Sequence, residues 1–247
     1  MYLDLEGIMR KVPPPPDLPV SQTENPYWDI VRTIPGNGID WKYDRIWAPD
    51  WTATYFDDDG RLLPPKQHID RNELNGEYTW AIPDPISLEF VAKWLAPKAV
   101  EMGAGTGYWC WQLTQLGVDM LAFDKKPPNK TINHWHSPRT PEGDAFSGEM
   151  RQTYHEVRQG TPLQLRRMLD RTLFLSWPPM DTMAALCLKH YQGKRVVYIG
   201  EGDGGCTATS AFFEQLEAEW KEVAEHRIVQ WWSIHDYITV YEREKDV

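Results

Sequence analysis

Three glycines on alternate positions follow an acid in the run Val100-Glu101-Met102-Gly103-Ala104-Gly105-Thr106-Gly107. Glycine reaches positive φ without penalty and lets another group approach the backbone where a Cβ would clash. An apolar strand pattern ends at Val100-Glu101, and a helical pattern follows through Trp111, Leu113 and Leu116. Gly103, Gly105 and Gly107 therefore lead into a helix N-terminus, where N–H groups are free to bind. The next strand pattern, Val118 to Phe123, closes on Asp124. An ionised carboxylate accepts two hydrogen bonds in fork geometry, which suits the paired hydroxyls of a ribose. Strand, glycine loop, helix, strand and acid make a nucleoside-binding arrangement. A tight turn that binds nothing would use the same glycines.

The spacing separates two nucleoside classes. A dinucleotide loop reads Gly-x-Gly-x-x-Gly. Here the third glycine comes one residue early, and Tyr108 stands at the dinucleotide position. Gly-x-Gly-x-Gly with an acid two residues ahead resembles motif I of the class I (Rossmann-like) S-adenosylmethionine (SAM)-dependent methyltransferases. The resemblance covers roughly residues 84–247. It implies SAM as cofactor, with Gly103, Ala104, Gly105 and Gly107 beside its methionine part and Asp124 on its ribose. It also implies Glu101 supporting the loop and the amino end, Lys125 beside the acid, and Gln159-Gly160 near the adenine ring. A second glycine cluster, Gly200-Glu201-Gly202-Asp203-Gly204-Gly205, also follows a strand pattern and precedes a helix. No strand-end acid comes after it, and it lacks the Lys-Ser/Thr of a phosphate loop. It reads as a plain turn, or as the rim of a substrate mouth with Glu201 or Asp203 facing inward.

Chemistry must come from elsewhere. Leu173-Phe174-Leu175-Ser176-Trp177-Pro178-Pro179-Met180 ends another strand pattern. Ligands of open α/β sheets bind outside the carboxyl ends of the strands. The segment resembles motif IV of the amino-directed methyltransferases, where a polar residue precedes Pro-Pro and an aromatic. Rigid prolines there let a polar side chain and a carbonyl hold an amine for transfer. Trp177 stands where that motif has its polar residue, Met180 where it has the aromatic, and Ser176 comes one position early. The candidates for catalysis are thus Ser176, Trp177, Pro178 and Pro179, with a proline-rich strand end as the plain alternative. His134, His136 and His155 are candidate general bases for an oxygen or carbon acceptor. His134-x-His136 has no evident third metal ligand.

These residues need a scaffold that the rest of the chain predicts. Asp84-Pro85 starts a helix, with Leu88, Val91 and Leu95 at helical spacing. Strand and helix patterns then alternate, with a faint strand near Glu156-Val157-Arg158, a strand at Arg195–Ile199, a helix at Thr209–Val223, and final strands at Ile228–Trp232 and Tyr237–Tyr241. The expected fold is α/β: a mostly parallel seven-stranded Rossmann-like sheet with helices on both faces and an antiparallel last strand. Residues 85–247 would form the SAM-binding domain. Residues 1–84 read as an irregular, aromatic-rich extension or cap, with turn signals at Pro35-Gly36-Asn37-Gly38, Asp59-Gly60 and Asn75-Gly76. Asp57-Asp58-Asp59-Gly60 lacks the spaced ligands of a calcium loop. Pro13 to Pro16 impose an extended segment, either a spacer or a docking strip.

Composition sets outer bounds. The chain has 247 residues, a net charge of −10 and thirteen tryptophans. The tryptophans suit an aromatic core and a ligand-lined cleft alike. The acidic balance gives no general attraction to phosphate backbones, and Lys125, Lys126, Lys130 and Arg139 are the clustered basic residues near the presumed site. Cys110, Cys187 and Cys206 form no Cys-x-x-Cys pair, which fits a reduced compartment. Neither a signal peptide nor a membrane span is evident, so a cytoplasmic location is expected. The leading expectation is a SAM-dependent methyltransferase acting on a small molecule or a protein. The alternatives are a DNA or RNA base methyltransferase and a non-catalytic SAM-fold binding protein.

Overall fold

The computed structural model describes residues 2–3, 9–10, 21–32, 38–40, 45–48, 71–140, 145–231 and 234–244, with backbone only below residue 21 and over 38–48. Seven strands form one sheet: β1 (Lys98–Met102), β2 (Asp119–Asp124), β3 (Val157–Gln159), β4 (Thr172–Ser176), β5 (Arg195–Gly200), β6 (Trp220–Arg227) and β7 (Tyr237–Arg243). Their order is β6-β7-β5-β4-β1-β2-β3. Strands β1 to β5 pair in parallel, and β7 runs antiparallel to both β5 and β6. This is the expected fold class, with the antiparallel strand inserted one place in from the edge.

Alternation along each strand divides the core into two layers. Ala99, Phe174, Val197, Ile238 and Val240 face α3 (Pro85–Leu95) and α4 (Tyr108–Gln115), meeting Leu88, Val91, Leu95, Trp109 and Leu113. Val100, Leu173, Leu175, Val196 and Tyr198 face α5 (Met183–His190) and α6 (Ser210–Glu219), meeting Ala184, Leu188, Phe212 and Leu216. Helices cover both faces, which is what near-continuous apolar runs in parallel strands require. The start of α3 follows its sequence signal: Asp84 accepts from the Ile86 and Ser87 amides at 3.0 Å each, with Pro85 in the first turn. Such a cap contributes about 1 kcal/mol.

Three expectations give way. The helix expected over Thr209–Val223 stops at Glu219, and Trp220 begins β6. Trp220 and Val223 thus leave the helical stripe. Pairing with β7 from Trp220↔Arg243 to Arg227↔Tyr237 satisfies backbone groups that a longer helix would have used internally. Consequently the strand expected at Ile228–Trp232 is not the partner of β7. Among the described residues of that span, Gln230–Trp231 is extended, in a separate three-stranded sheet with Arg45–Ala48 and Gly38–Asp40. Finally, Asn75-Gly76 is not a turn. It lies inside α2 (Arg71–Glu77), with both residues buried. Asn75 accepts the Tyr27 hydroxyl at 2.9 Å, and the Gly76 carbonyl meets His136 Nδ1 at 3.1 Å. Tertiary partners override the local turn preference.

The described part of the N-terminal third packs firmly onto α4. Tyr27 and Trp28 of α1 (Pro26–Val31) are fully buried with Tyr78, Ile82, Tyr108 and Trp231. Tyr27 stacks on Tyr78 at 5.1 Å, and its hydroxyl accepts from the Trp231 indole. The Tyr108 hydroxyl donates to Asn25 at 2.8 Å. The candidate calcium-like run at 57–60, the polyproline run and the turn signals at 35–37 and 59–60 lie outside the described residues.

Candidate active site

The sheet order reverses direction between β1 and β4. From β1 the chain crosses by α4 to β2 on one side, and from β4 by α5 to β5 on the other. Such a switch point opens a crevice at the carboxyl ends of the strands. The loop after β1, residues 103–107, and the loop after β4, residues 177–182, border it. The sequence candidates therefore fall at one edge of one sheet.

Gly103, Gly105 and Gly107 all adopt left-handed backbone, with φ of 78°, 53° and 73°. The amides of Gly103 and Ala104 both donate to the Phe123 carbonyl, at 2.8 and 3.0 Å. These bonds tie the loop to the end of β2. Asp124 then accepts from the Gly105 amide at 3.0 Å and the Lys126 amide at 2.7 Å. Two backbone amides and the Asn133 side-chain amide, at 3.5 Å, orient this carboxylate at the strand end, and it remains half-buried. Gly160 closes the same corner: its amide donates to the Asp124 carbonyl at 2.9 Å, and a Cβ there would strike the Phe123 ring. Lys125 and Gln159 are exposed beside it, with Gln159 Nε2 3.4 Å from the Lys125 carbonyl.

What crowds the glycines is the protein itself. A Cβ on Gly105 would lie 2.2 Å from His136 Nε2, one on Gly107 would lie 2.9 Å from a Val157 methyl, and one on Gly103 would lie 2.9 Å from Met183 Cε. His136 comes from the long connection between β2 and β3, which folds back over the loop, with the Tyr154 amide donating to the Thr106 carbonyl. Burial pushes the His136 imidazole below its ordinary range. Its neutral ring spans Gly105 and the Gly76 carbonyl. The candidate base His136 is thus a packing residue of the loop. His155 sits against Gly107, and His134 is exposed with its ring edge-on to Trp135. Among the described residues no group of three metal-ligating side chains converges.

Glu101 faces the interior. It is 2% exposed, and its Oε2 receives the Cys110 thiol at 2.9 Å. Burial raises its carboxyl to about 8, and the charge of Asp124 pushes the same way. It braces the underside of the loop against α4.

Across the crevice, Trp177 has a left-handed φ of 52°, a conformation costing a non-glycine residue about 1–3 kcal/mol. Three contacts hold it. Its amide donates to the Ile199 carbonyl at 2.8 Å, its indole Nε1 donates to Asp236 at 2.7 Å, and its ring stacks on Trp80 at 5.2 Å. The Pro178 carbonyl accepts from the Ala208 amide at 2.9 Å, which pins the proline pair to the loop after β5. Pro179 follows at the half-buried rim. Ser176 Oγ is buried with no hydrogen-bond partner among the described residues. Asp236, just before β7, is the residue that motif reading missed. No local pattern marks it, because only the β5–β7 pairing brings it to this edge.

No family model matches the chain, and no curated protein matches it. Solved structures do overlap with it. Magnesium protoporphyrin IX methyltransferase from Synechocystis with bound SAM is 11% identical, with 64% of this chain and 79% of that chain covered at a TM-score of 0.40. A protein of the NADB-Rossmann superfamily from Streptococcus agalactiae is 16% identical, with 65% and 68% covered at 0.39. TehB from Haemophilus influenzae is 10% identical, with 78% and 84% covered at 0.38. Overlaps of this size carry nothing about substrate or chemistry.

Proposed function

We propose, from a chain that carries the class I Rossmann-like methyltransferase fold, that it binds SAM at the β1–β2 corner and transfers its methyl group to a small molecule or a protein. The observation carrying this reading is the Asp124 carboxylate, held at the end of β2 by the Gly105 and Lys126 amides beside a loop of three left-handed glycines. A carboxylate has about four lone-pair sites. Two are used by these amides and a third, on Oδ1, by the Asn133 side chain at 3.5 Å, so Asp124 keeps acceptor capacity for a ribose hydroxyl, on Oδ2.

The donor set fits the group. Asp124 would take the ribose, the loop over Gly103–Gly107 the methionine end, and the corner at Gln159-Gly160 the adenine. Lys125 borders that corner, and Glu101 stiffens the loop from below. When bound, SAM supplies an electrophilic methyl on a sulfonium. The chain's own residues do the positioning. The tether of Trp177 to Asp236 and the Pro178–Ala208 bond fix the wall opposite the cofactor corner, so an acceptor would meet a rigid surface. The division at residue 84 belongs to the same reading: residues 85–247 carry the cofactor and the N-terminal third caps the crevice.

Calorimetric titration with SAM and S-adenosylhomocysteine tests this directly. Wild-type protein should bind both, and Asp124→Ala should bind neither well. A folded wild-type protein that binds neither sinks the reading.

A further inference from the structure

We propose that Asp236, with Ser176 and Trp80 around the Trp177 indole, forms an acceptor site that takes an amine. The site rests on the methyl-transfer reading for its reaction step, although its ligand recognition stands on its own residues.

The loop after β4 places an indole where an amine-directed motif would place a polar group. The fold supplies that group from another element. Trp177 Nε1 donates to Asp236 Oδ2 at 2.7 Å, while Asp236 Oδ1 has no partner among the described residues. Asp236 is 2% exposed. Half of a buried carboxylate is therefore satisfied and half is bare, and a bare buried acceptor is costly unless a partner arrives. Two more buried polar atoms lack a partner among the described residues: Ser176 Oγ, at the residue before Trp177 in the chain, and Trp80 Nε1, on the ring stacked against the Trp177 indole. Native folds leave few such atoms, and a bare carboxylate oxygen on the partner of Trp177 with a bare indole N–H on the ring stacked against it marks where a partner is missing.

The surroundings select the ligand. Trp80 stacks on Trp177, and Trp135 meets Trp80 edge-on at 5.6 Å, so the wall is indole. Asp236 and Glu201 bring negative charge, and the Arg71 charge opposes them. Tyr27, Tyr198 and Cys206 are the other titratable groups that feel Asp236. Glu201 is already engaged, accepting from the Cys206 amide at 2.7 Å and the His235 amide at 2.8 Å. Two acids against one base, with π faces alongside, favour an amine over an anion. In the reaction, the nitrogen lone pair forms the new N–C bond. The bond from that methyl to the sulfonium sulfur breaks, with its electron pair left on sulfur. The nitrogen lone pair is free because the Asp236 carboxylate first takes a proton from the bound ammonium and passes it to solvent, and the methylated product leaves as an ammonium. Burial raises the Asp236 carboxyl to about 7, which matches a proton acceptor working near neutral pH.

The test uses the full chain with benzylamine and benzoate as probes, read by calorimetry and by tryptophan fluorescence. Wild-type protein should bind benzylamine at least 10-fold more tightly than benzoate. Asp236→Asn should weaken benzylamine at least 10-fold while leaving S-adenosylhomocysteine binding in place. Its fluorescence should also lose a titration near pH 7 that wild type shows. Ser176→Ala serves as a second variant if Asp236→Asn does not fold, and it should weaken benzylamine severalfold. Equal benzylamine affinity in wild type and in a folded variant overturns the site, as does wild-type protein that prefers benzoate or ignores both probes. Benzylamine binding without S-adenosylhomocysteine binding upholds the amine site and overturns the cofactor reading.

Discussion

Two glycine-rich loops leave the same edge of the sheet, and they do different work. The loop after β1 has three left-handed glycines whose missing side chains are replaced by His136, Val157 and Met183. Its amides reach outward to β2 and to Asp124. The loop after β5 is braced by its own side chains and by the segments before β7 and after β4. Tyr198 and Thr207 hydroxyls meet at 2.7 Å under Gly200, Glu201 collects the Cys206 and His235 amides, and Ser210 donates to Asp203 at 2.8 Å. Gly202 and Gly204 face open space. Glycine content alone does not separate them. What does is whether the acid beside the loop keeps spare acceptor capacity. Asp124 does, half-buried at the end of β2, whereas Glu201 is buried with one oxygen on the Cys206 amide of its own loop and the other on the His235 amide from before β7.

Breaking the first loop should have the largest effect. In Gly105→Val the left-handed φ and the collision with His136 together should cost about 2–5 kcal/mol. Thermal melting should show a Tm drop of about 5–15 °C, and S-adenosylhomocysteine binding should vanish. A variant that melts with wild type would show that the loop tolerates a side chain. Asp124→Ala comes next. Losing a charged acceptor costs about 1.5–3 kcal/mol, so calorimetry should report a loss in S-adenosylhomocysteine affinity of about 10- to 100-fold with a smaller Tm change than Gly105→Val. Unchanged affinity would reduce Asp124 to a loop brace.

The buried acid beneath the loop predicts a pH dependence. Glu101 is raised to about 8 by burial. Between its ordinary value near 4.5 and about 8, the folded chain holds a proton that the unfolded chain has released. Stability from this group is present at low pH and lost as pH rises through 8. Melting temperature should therefore fall from pH 5.5 to 8, and Glu101→Gln should flatten that fall. A slope identical to wild type would contradict the assignment. The smallest effects belong to the second loop. Gly204→Ala meets no neighbour but keeps a φ of 82°, so about 1–2 kcal/mol is expected. Gly202→Ala should stay within about 0.5 kcal/mol by chemical denaturation. A large loss at Gly202 would mean the second loop is as constrained as the first.

Local signals were legible where the physics is local. Asp84-Pro85 caps α3 as its residues indicate, and the glycine loop and Asp124 meet at one corner of the sheet, because caps and left-handed turns depend on residues a few positions apart. The helix expected through Val223 failed because β7 recruited Trp220–Arg227 from a distance. The Asn75-Gly76 turn signal failed because Tyr27 and His136 bond that stretch as a helix.

The sequence by itself determined the alternating α/β order, the glycine loop, the acid at the end of β2 and the proline wall after β4. Each is written in contiguous residues. Tertiary structure alone decided that His136 packs against Gly105, that Glu101 points into the core toward Cys110, and that Asp236 bonds the Trp177 indole. Those facts join residues 9 to 59 positions apart. Strand pairing and close packing bring such residues together, and no local propensity records it.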